Sequence, residues 1–255
     1  MTLSHQLSFQ LYSAREFPPL SDQLQILAAL GFKNVEPFGG LYADARGLKE
    51  ALDRNGLCAN SGHFDLLTIE ADPKATVEIA NILGTQIIVA PWLDEQHRPT
   101  DIAGWKDFGT RLSKLQAYFS AEGLVFVWHN HDFEFRTLPD GSMPIDHILG
   151  GNSVGLELDV AWVVRAGHDP VAWINKFADR LVSVHVKDIA PAGQNASQDG
   201  WAHLGQGVID WKAIWPAIER SKATLAILEH DRPQDWKAFV SESAAAFRVL
   251  AGDVA

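Results

Sequence analysis

Eight times along this 255-residue chain, a short run rich in β-branched and apolar residues gives way to a longer stretch with helical periodicity. The runs cover residues 7–11, 33–36, 57–62, 86–90, 124–128, 154–158, 181–185 and 225–229. Such alternation permits few architectures, because strands linked through helices run parallel, and a parallel sheet needs both faces covered. The intervening segments carry their own signals. In LSDQLQILAAL, Leu20, Leu24, Leu27 and Leu30 recur at three- and four-residue steps before Gly31, a C-terminal capping residue. Asp72-Pro73 places a cap before a proline at the first helical position of a helix that ends at Gly84. A long segment, 100–122, precedes the fifth strand, and a helical pattern over 241–250 closes the chain. Eight strand-helix pairs in this length predict an α/β protein, a single (β/α)8 TIM-barrel domain over residues 1–255, whose chemistry sits at the C-terminal strand ends.

Composition narrows the classes. At 47% hydrophobic residues the chain has enough apolar material for a large core. Lys and Arg total 21 against 32 Asp and Glu, and a net charge of −11 argues against affinity gained by neutralising phosphates, so no nucleic-acid partner is expected. Cys58 has no partner for an internal disulfide and, following Leu57, is expected to be a buried core thiol. The start, MTLSHQLSFQ, has neither the basic nor the apolar region of a signal peptide, and no stretch approaches the ~20 apolar residues of a membrane span. The expectation is a soluble cytoplasmic protein, with exposed aromatics compatible with a homodimer.

The strand ends carry the chemistry. GLELD, LVSVH and LAILE finish on Asp159, His185 and Glu229, and VWHNHDFEF adds Glu134 just past an earlier strand. A lone strand-end Asp is ordinarily a turn or cap residue and a lone His a structural one. Three at successive strand ends point instead to one divalent metal ion. Carboxylates and imidazoles without thiolates suit Mn²⁺ first, and Mg²⁺, Co²⁺ or Zn²⁺ as well. Period-two alternation pairs Glu157 with Asp159 and His185 with Lys187, leaving Val184 and Val186 for the helices. Glu157 is read as a structural residue one layer lower in a buried hydrogen-bond network, the alternative being a metal-pocket position. His129 and His131 share one strand face, and polar groups this dense after Val125, Phe126 and Val127 are costly unless they meet a ligand or each other. Glu134 is the better ligand and proton-transfer candidate, with His129 and His131 binding hydroxyls or replacing a carboxylate on the metal. Glu36 in NVEPFGG and His63 in NSGHFD reach the same rim, as caps or substrate contacts. Trp92, Trp162 and Trp201 are candidates for apolar walls, and residues 191–200 for an active-site loop. The glycines of LGQGVIDW, 205 and 207, permit a tight loop before a helix near Asp210 and lack the spacing of a nucleotide-phosphate loop.

Taken in order, SFQLYSAR, LAALGFKNVEPFGG, WHNHDFEF, GLELDVAW, VHVKD, LGQGVIDW and ILEHD resemble the xylose-isomerase-like barrels over nearly the whole chain. The resemblance is to the sugar phosphate isomerase/epimerase branch, which includes ketose 3-epimerases, inosose dehydratases and endonuclease IV. It implies Asp159, His185 and Glu229 as metal ligands, Glu134 and Glu229 as the pair exchanging a proton with substrate, and His131 and Lys187 as substrate contacts. His129 stands where ketose epimerases carry a glutamate, and Trp162 where they carry a histidine. HNHDFEF and EHD look more like the members acting on inososes or 3-keto-sugars. The implied reaction is metal-dependent proton abstraction beside the carbonyl of a ketose, inosose or 3-keto-sugar through an enediolate. Its outcome is isomerisation or epimerisation, or, with a leaving group β to the enolate, dehydration or another lyase reaction. An endonuclease-like phosphodiesterase would need three zincs and a basic surface, which the charge opposes. A noncatalytic sugar-binding barrel would bind substrate without exchanging its α-proton.

Overall fold

The computed structural model describes residues 6–252. The ends of the span 1–255 and half of the N-terminal decapeptide read for a leader lie outside the described residues. Seven parallel strands, β1 (Gln6–Phe9), β2 (Ser61–His63), β3 (Ile87–Ala90), β4 (Val125–His129), β5 (Gly155–Asp159), β6 (Leu181–Val186) and β9 (Leu225–Leu228), pair in the order β1-β9-β6-β5-β4-β3-β2. Between β6 and β9 the chain adds a small antiparallel hairpin, β7 (Asp188–Ile189) with β8 (Trp201–Ala202). Residues 34–38 make the closing stave through the single bridges Gln10↔Glu36, Asn34↔Cys58 and Phe38↔His63, which join β1 to β2 and complete the ring of a TIM barrel. The expected second strand is thus reduced to bridges, and Pro37, which has no N–H to donate, interrupts it.

Most helix signals act where expected. Asp72 accepts from the Ala75 amide ahead of Pro73–Leu83, and Gly84 ends that helix at φ +77°. Gly31 follows Leu20–Ala29 at φ +86°, Ile102–Ala121 fills the long segment, and Asp210 caps Trp211–Glu219. The last helix, Trp236–Leu250, starts earlier than its apolar pattern because Asp235 accepts from the amides of Lys237 and Ala238.

Strand parity separates two cores. Phe126, Trp128, Leu156, Leu158, Val184, Val186, Ala226 and Leu228 face outward into the layer shared with the helices. Each Phe, Leu or Val among them, fully buried, contributes roughly 1.5–3 kcal/mol. Ile87, Val89, Val127, Leu225 and Ile227 form a separate apolar plug inside the barrel. Above that plug the inward positions turn polar, and the site begins there. Parity also corrects one expectation: Cys58 is exposed, because Leu57 and Ala59 are the buried residues of its stave and the thiol lies on the other face. Among the described residues no helix is long and apolar enough to cross a membrane.

Candidate active site

Glu157 occupies the centre of the polar layer. Its Oε1 lies 2.8 Å from His63 Nε2, 3.1 Å from His129 Nδ1 and 3.1 Å from His185 Nε2, while Oε2 accepts the Ser183 hydroxyl at 2.7 Å. Glu36 Oε1 accepts the Gln10 amide at 2.8 Å and lies 3.0 Å from both His63 Nε2 and His185 Nε2. Burial alone would raise the Glu157 carboxyl, but the His185 charge and the bonds from the three imidazoles hold it well below the usual carboxylate range. The same interactions act in reverse on the rings. Burial opposes the charge of His63, yet Glu36 and Glu157 lift it to about 9, and Glu157 with Glu229 lifts His185 well above an ordinary imidazole. Burial and then the His185 charge push His129 down.

A second corner is built around an ammonium. Lys187 is 1% exposed, and its Nζ lies 2.6 Å from Asp231, 3.1 Å from Glu229 and 3.5 Å from Asp159. Burial works against its charge, but these three carboxylates raise its pKa and keep it protonated. The rings of Trp201 and Trp162, 4.3 and 5.3 Å from Nζ, complete its surroundings. Glu229, 3.0 Å from His185 Nδ1, is held well below the usual range by Lys187 and His185 despite burial. Burial pushes Asp231 up to about 6, with Lys187 resisting and Glu229 assisting.

One donor atom each from His129, Asp159, His185 and Glu229 falls within 4.8 Å of the others, and His63, His129, Glu157 and His185 form an overlapping set. The first set fits a divalent cation better, because Glu157 is already saturated with partners, whereas Asp159 Oδ2 is buried and accepts no hydrogen bond. Local structure explains why that oxygen, 3.5 Å from Lys187 Nζ, accepts no hydrogen bond. Asp159 Oδ1 caps Val160–Arg165 by accepting from the Trp162 amide, and Asn130 clamps the Asp159 backbone from both sides. Asp159 therefore serves as the cap a bland reading expects while its other oxygen faces the cluster.

The structure brings Asp159, His185 and Glu229 together, as their strand ends suggest, with His129 as the fourth member. It does not bring in Glu134. The turn Phe133–Phe135 directs that side chain into the wall, where Oε1 accepts the Trp128 indole N–H at 2.9 Å and Oε2 accepts the His131 amide at 2.9 Å, and burial pushes the carboxyl up to about 8. Glu36 and Lys187 sit behind the cluster. His63, His129, His131, Trp162, Glu229 and Asp231 line a cavity of about 560 Å³ at the barrel mouth, together with Asp199 from the loop 191–200. His131 Nδ1 and Trp162 Nε1 are buried there without a hydrogen-bond partner, and burial followed by the charges of His129 and Lys187 holds His131 well below an ordinary imidazole. Sequence reasoning gave no role to Asp231, whose only signal is its place two residues beyond Glu229, and it read Glu157 as a member of a buried hydrogen-bond network, where the structure places it. A groove of about 630 Å³ between Ile102–Ala121 and Pro144–Leu149 is lined by surface residues such as Lys106 and Lys114 and holds none of these clustered groups.

Comparison with known proteins bears on the fold and the family. An inosose dehydratase of Lacticaseibacillus casei is 26% identical over 230 residues, 75% of this chain and 74% of that protein. A sugar phosphate isomerase/epimerase from Parabacteroides distasonis superposes with a TM-score of 0.78 at 21% identity, over 98% of this chain and 95% of that one. A structure described as IOLI protein with a binding zinc atom gives 0.73 at 17% identity, over 97% of both chains. At those identities the two structural likenesses speak for the fold. A family model for the xylose isomerase-like TIM barrel matches residues 24–249, and the chain belongs to that family.

Proposed function

We propose that this protein is a lyase that removes water from a polyhydroxylated cyclic ketone of the inosose type, by taking a proton beside the carbonyl and expelling a β-hydroxyl. One observation carries the reading. The two carboxylates on the inner part of the cavity, Glu229 and Asp231, come from the same strand end and share the Lys187 ammonium, while the remaining inner lining is imidazole and indole. Elimination needs one base and one acid, and this corner supplies both. Glu229, kept ionised by Lys187 and His185, takes the α-proton. Asp231, pushed up to about 6, returns a proton to the departing hydroxyl. His131 Nδ1 and the Trp162 indole N–H, both unpartnered, orient the ring hydroxyls. A divalent ion, Mn²⁺ by the donor set, would be held by His129, Asp159, His185 and Glu229 and would polarise the carbonyl oxygen. Glu134 is assigned no proton transfer, since both its oxygens are engaged in the wall. The relationship to a protein named inosose dehydratase supports the same class of reaction.

Isomerisation or epimerisation is the second reading, favoured by the neutral His131 imidazole in the same cavity, a base able to exchange a proton from another direction. Incubation with Mn²⁺ in D₂O and a panel of inososes and ketoses separates the two. Loss of water with growth of enone absorbance supports the lyase. Deuterium uptake with the mass otherwise unchanged moves the assignment to epimerase or isomerase, and neither result on any ketone overturns both.

A further inference from the structure

We infer that the cavity takes a two-ring, unphosphorylated substrate: the reacting polyol ring on the polar floor, and a second ring, glycosyl or aryl, against Tyr12 and Trp92 at the mouth. The inference rests on the proposed reaction for the identity of the first ring only. Among the described residues, Tyr12 at 37% and Trp92 at 43% are the two exposed aromatic side chains, and both line this one cavity. Neither is a loose surface ring. The Arg15 guanidinium stacks 3.7 Å from the Tyr12 ring, whose edge contact with Phe38 is at 5.3 Å. Trp92 donates its indole N–H to Asp94 at 2.9 Å, packs edge-on against His131 at 4.6 Å, and has Arg98 at 4.7 Å. Two aromatic platforms fixed in open solvent leave apolar area uncovered, and such area concentrated at a pocket rim marks a binding surface. Flat rings and the CH-rich faces of sugars suit it.

Size and charge point the same way. A volume of about 560 Å³ lies within the roughly 300–1,000 Å³ of pockets that enclose drug-sized ligands, more room than one polyol ring needs. A cyclitol with hydroxyls on every carbon would engage the His131, Trp162 and Glu229 floor and leave the rim idle. The lining cations are committed already. Arg15 donates to the carbonyls of Tyr12 and Asp231 at 2.9 and 2.7 Å, and His63 is matched by Glu36 and Glu157. With Asp65, Asp199 and Asp231 also on the lining, carboxylates outnumber the one lining guanidinium, Arg15, and a phosphate would meet net repulsion.

The test compares an inosose with its O-methyl, O-phenyl and O-glucosyl ethers at one position, with and without phosphate, by tryptophan fluorescence titration and by turnover. The ring-bearing ethers are expected to bind about tenfold more tightly than the methyl ether, with a matching gain in kcat/KM, and Tyr12→Ala and Trp92→Ala should each collapse that ratio. The phenyl and glucosyl arms tell which ring the mouth favours. Equal Kd values for methyl and ring-bearing ethers, or tightest binding by a phosphate ester, overturn the inference. Tight ring-dependent binding without turnover would instead uphold the subsite and count against the proposed reaction.

Discussion

Two glutamates, Glu157 and Glu134, are both sealed from solvent, and they have opposite fates. Glu157 is wrapped by His63, His129, His185 and Ser183 and is held well below the usual carboxylate range; Glu134, met by an indole N–H and a backbone amide, is pushed up to about 8. Both have their oxygens hydrogen-bonded, so hydrogen-bond count does not separate them. Charge does: neutral donors offset only part of the desolvation of an anion, whereas an imidazolium in contact reverses it. The floor of the cavity is therefore a region of matched charges, and the wall behind β4 is a region of neutral hydrogen bonds.

The sharpest way to break that contrast is to replace one carboxyl group in each region, ionised on the floor and protonated in the wall. Glu229→Gln, on the floor, should lower turnover by roughly 10²–10⁴, the range for losing an acid-base group. Glu134→Gln should stay within about tenfold of the parent. Comparable losses in both variants, measured on any ketone that the parent turns over, would return Glu134 to the chemistry.

Next in size is the stability of the matched layer itself. Glu157→Gln leaves His63, His129 and His185 around a neutral amide, and removing one partner from a buried ion pair costs about 3–5 kcal/mol. Urea unfolding measures it, and a loss below about 1 kcal/mol would mean that His63 and His185 are neutral as well as His129. A smaller effect is expected from His131→Ala, which removes a lining imidazole but no member of the four-donor set. Turnover should fall about 10- to 100-fold, in keeping with a lost hydrogen bond or proton-transfer group. After loading with Mn²⁺, bound metal should stay near the level the parent reaches, and its complete loss would make His131 a ligand.

How much of this was legible in the residue order follows from what period two can and cannot say. Alternation alone places Asp159, His185 and Glu229 inside the barrel and Val184 and Val186 outside, which is where they are found. It does not say at which height each inward residue sits, because height depends on the stagger between strands, and so Glu157 reads as a layer below the site when its carboxylate touches three of the rings at the site. Parity also ends where the strand ends. Glu134 lies beyond β4 in a short 3₁₀ turn, and that turn aims its carboxylate at Trp128 instead of the cavity. Asp231, past the end of β9, reaches Lys187 through a loop whose path no alternation encodes.

The finest test uses pH. An ordinary glutamate titrates near 4.5, and burial moves Glu134 up to about 8. Between those values the folded chain keeps a proton that the unfolded chain has released, so this residue makes stability fall as pH rises through the window and level off above it. The slope it contributes is at most about 1.4 kcal/mol per pH unit. His63, raised to about 9, adds a fall of the same sign between 6.5 and 9, so the parent's curve alone does not isolate Glu134. Glu134→Gln carries no proton to release and leaves His63 in place. Subtracting the two urea-unfolding series from pH 5 to 8 should therefore show the parent losing stability relative to the variant. Parallel curves would mean that Glu134 is ionised at neutral pH, and the wall would then be another region where charge is matched by a partner.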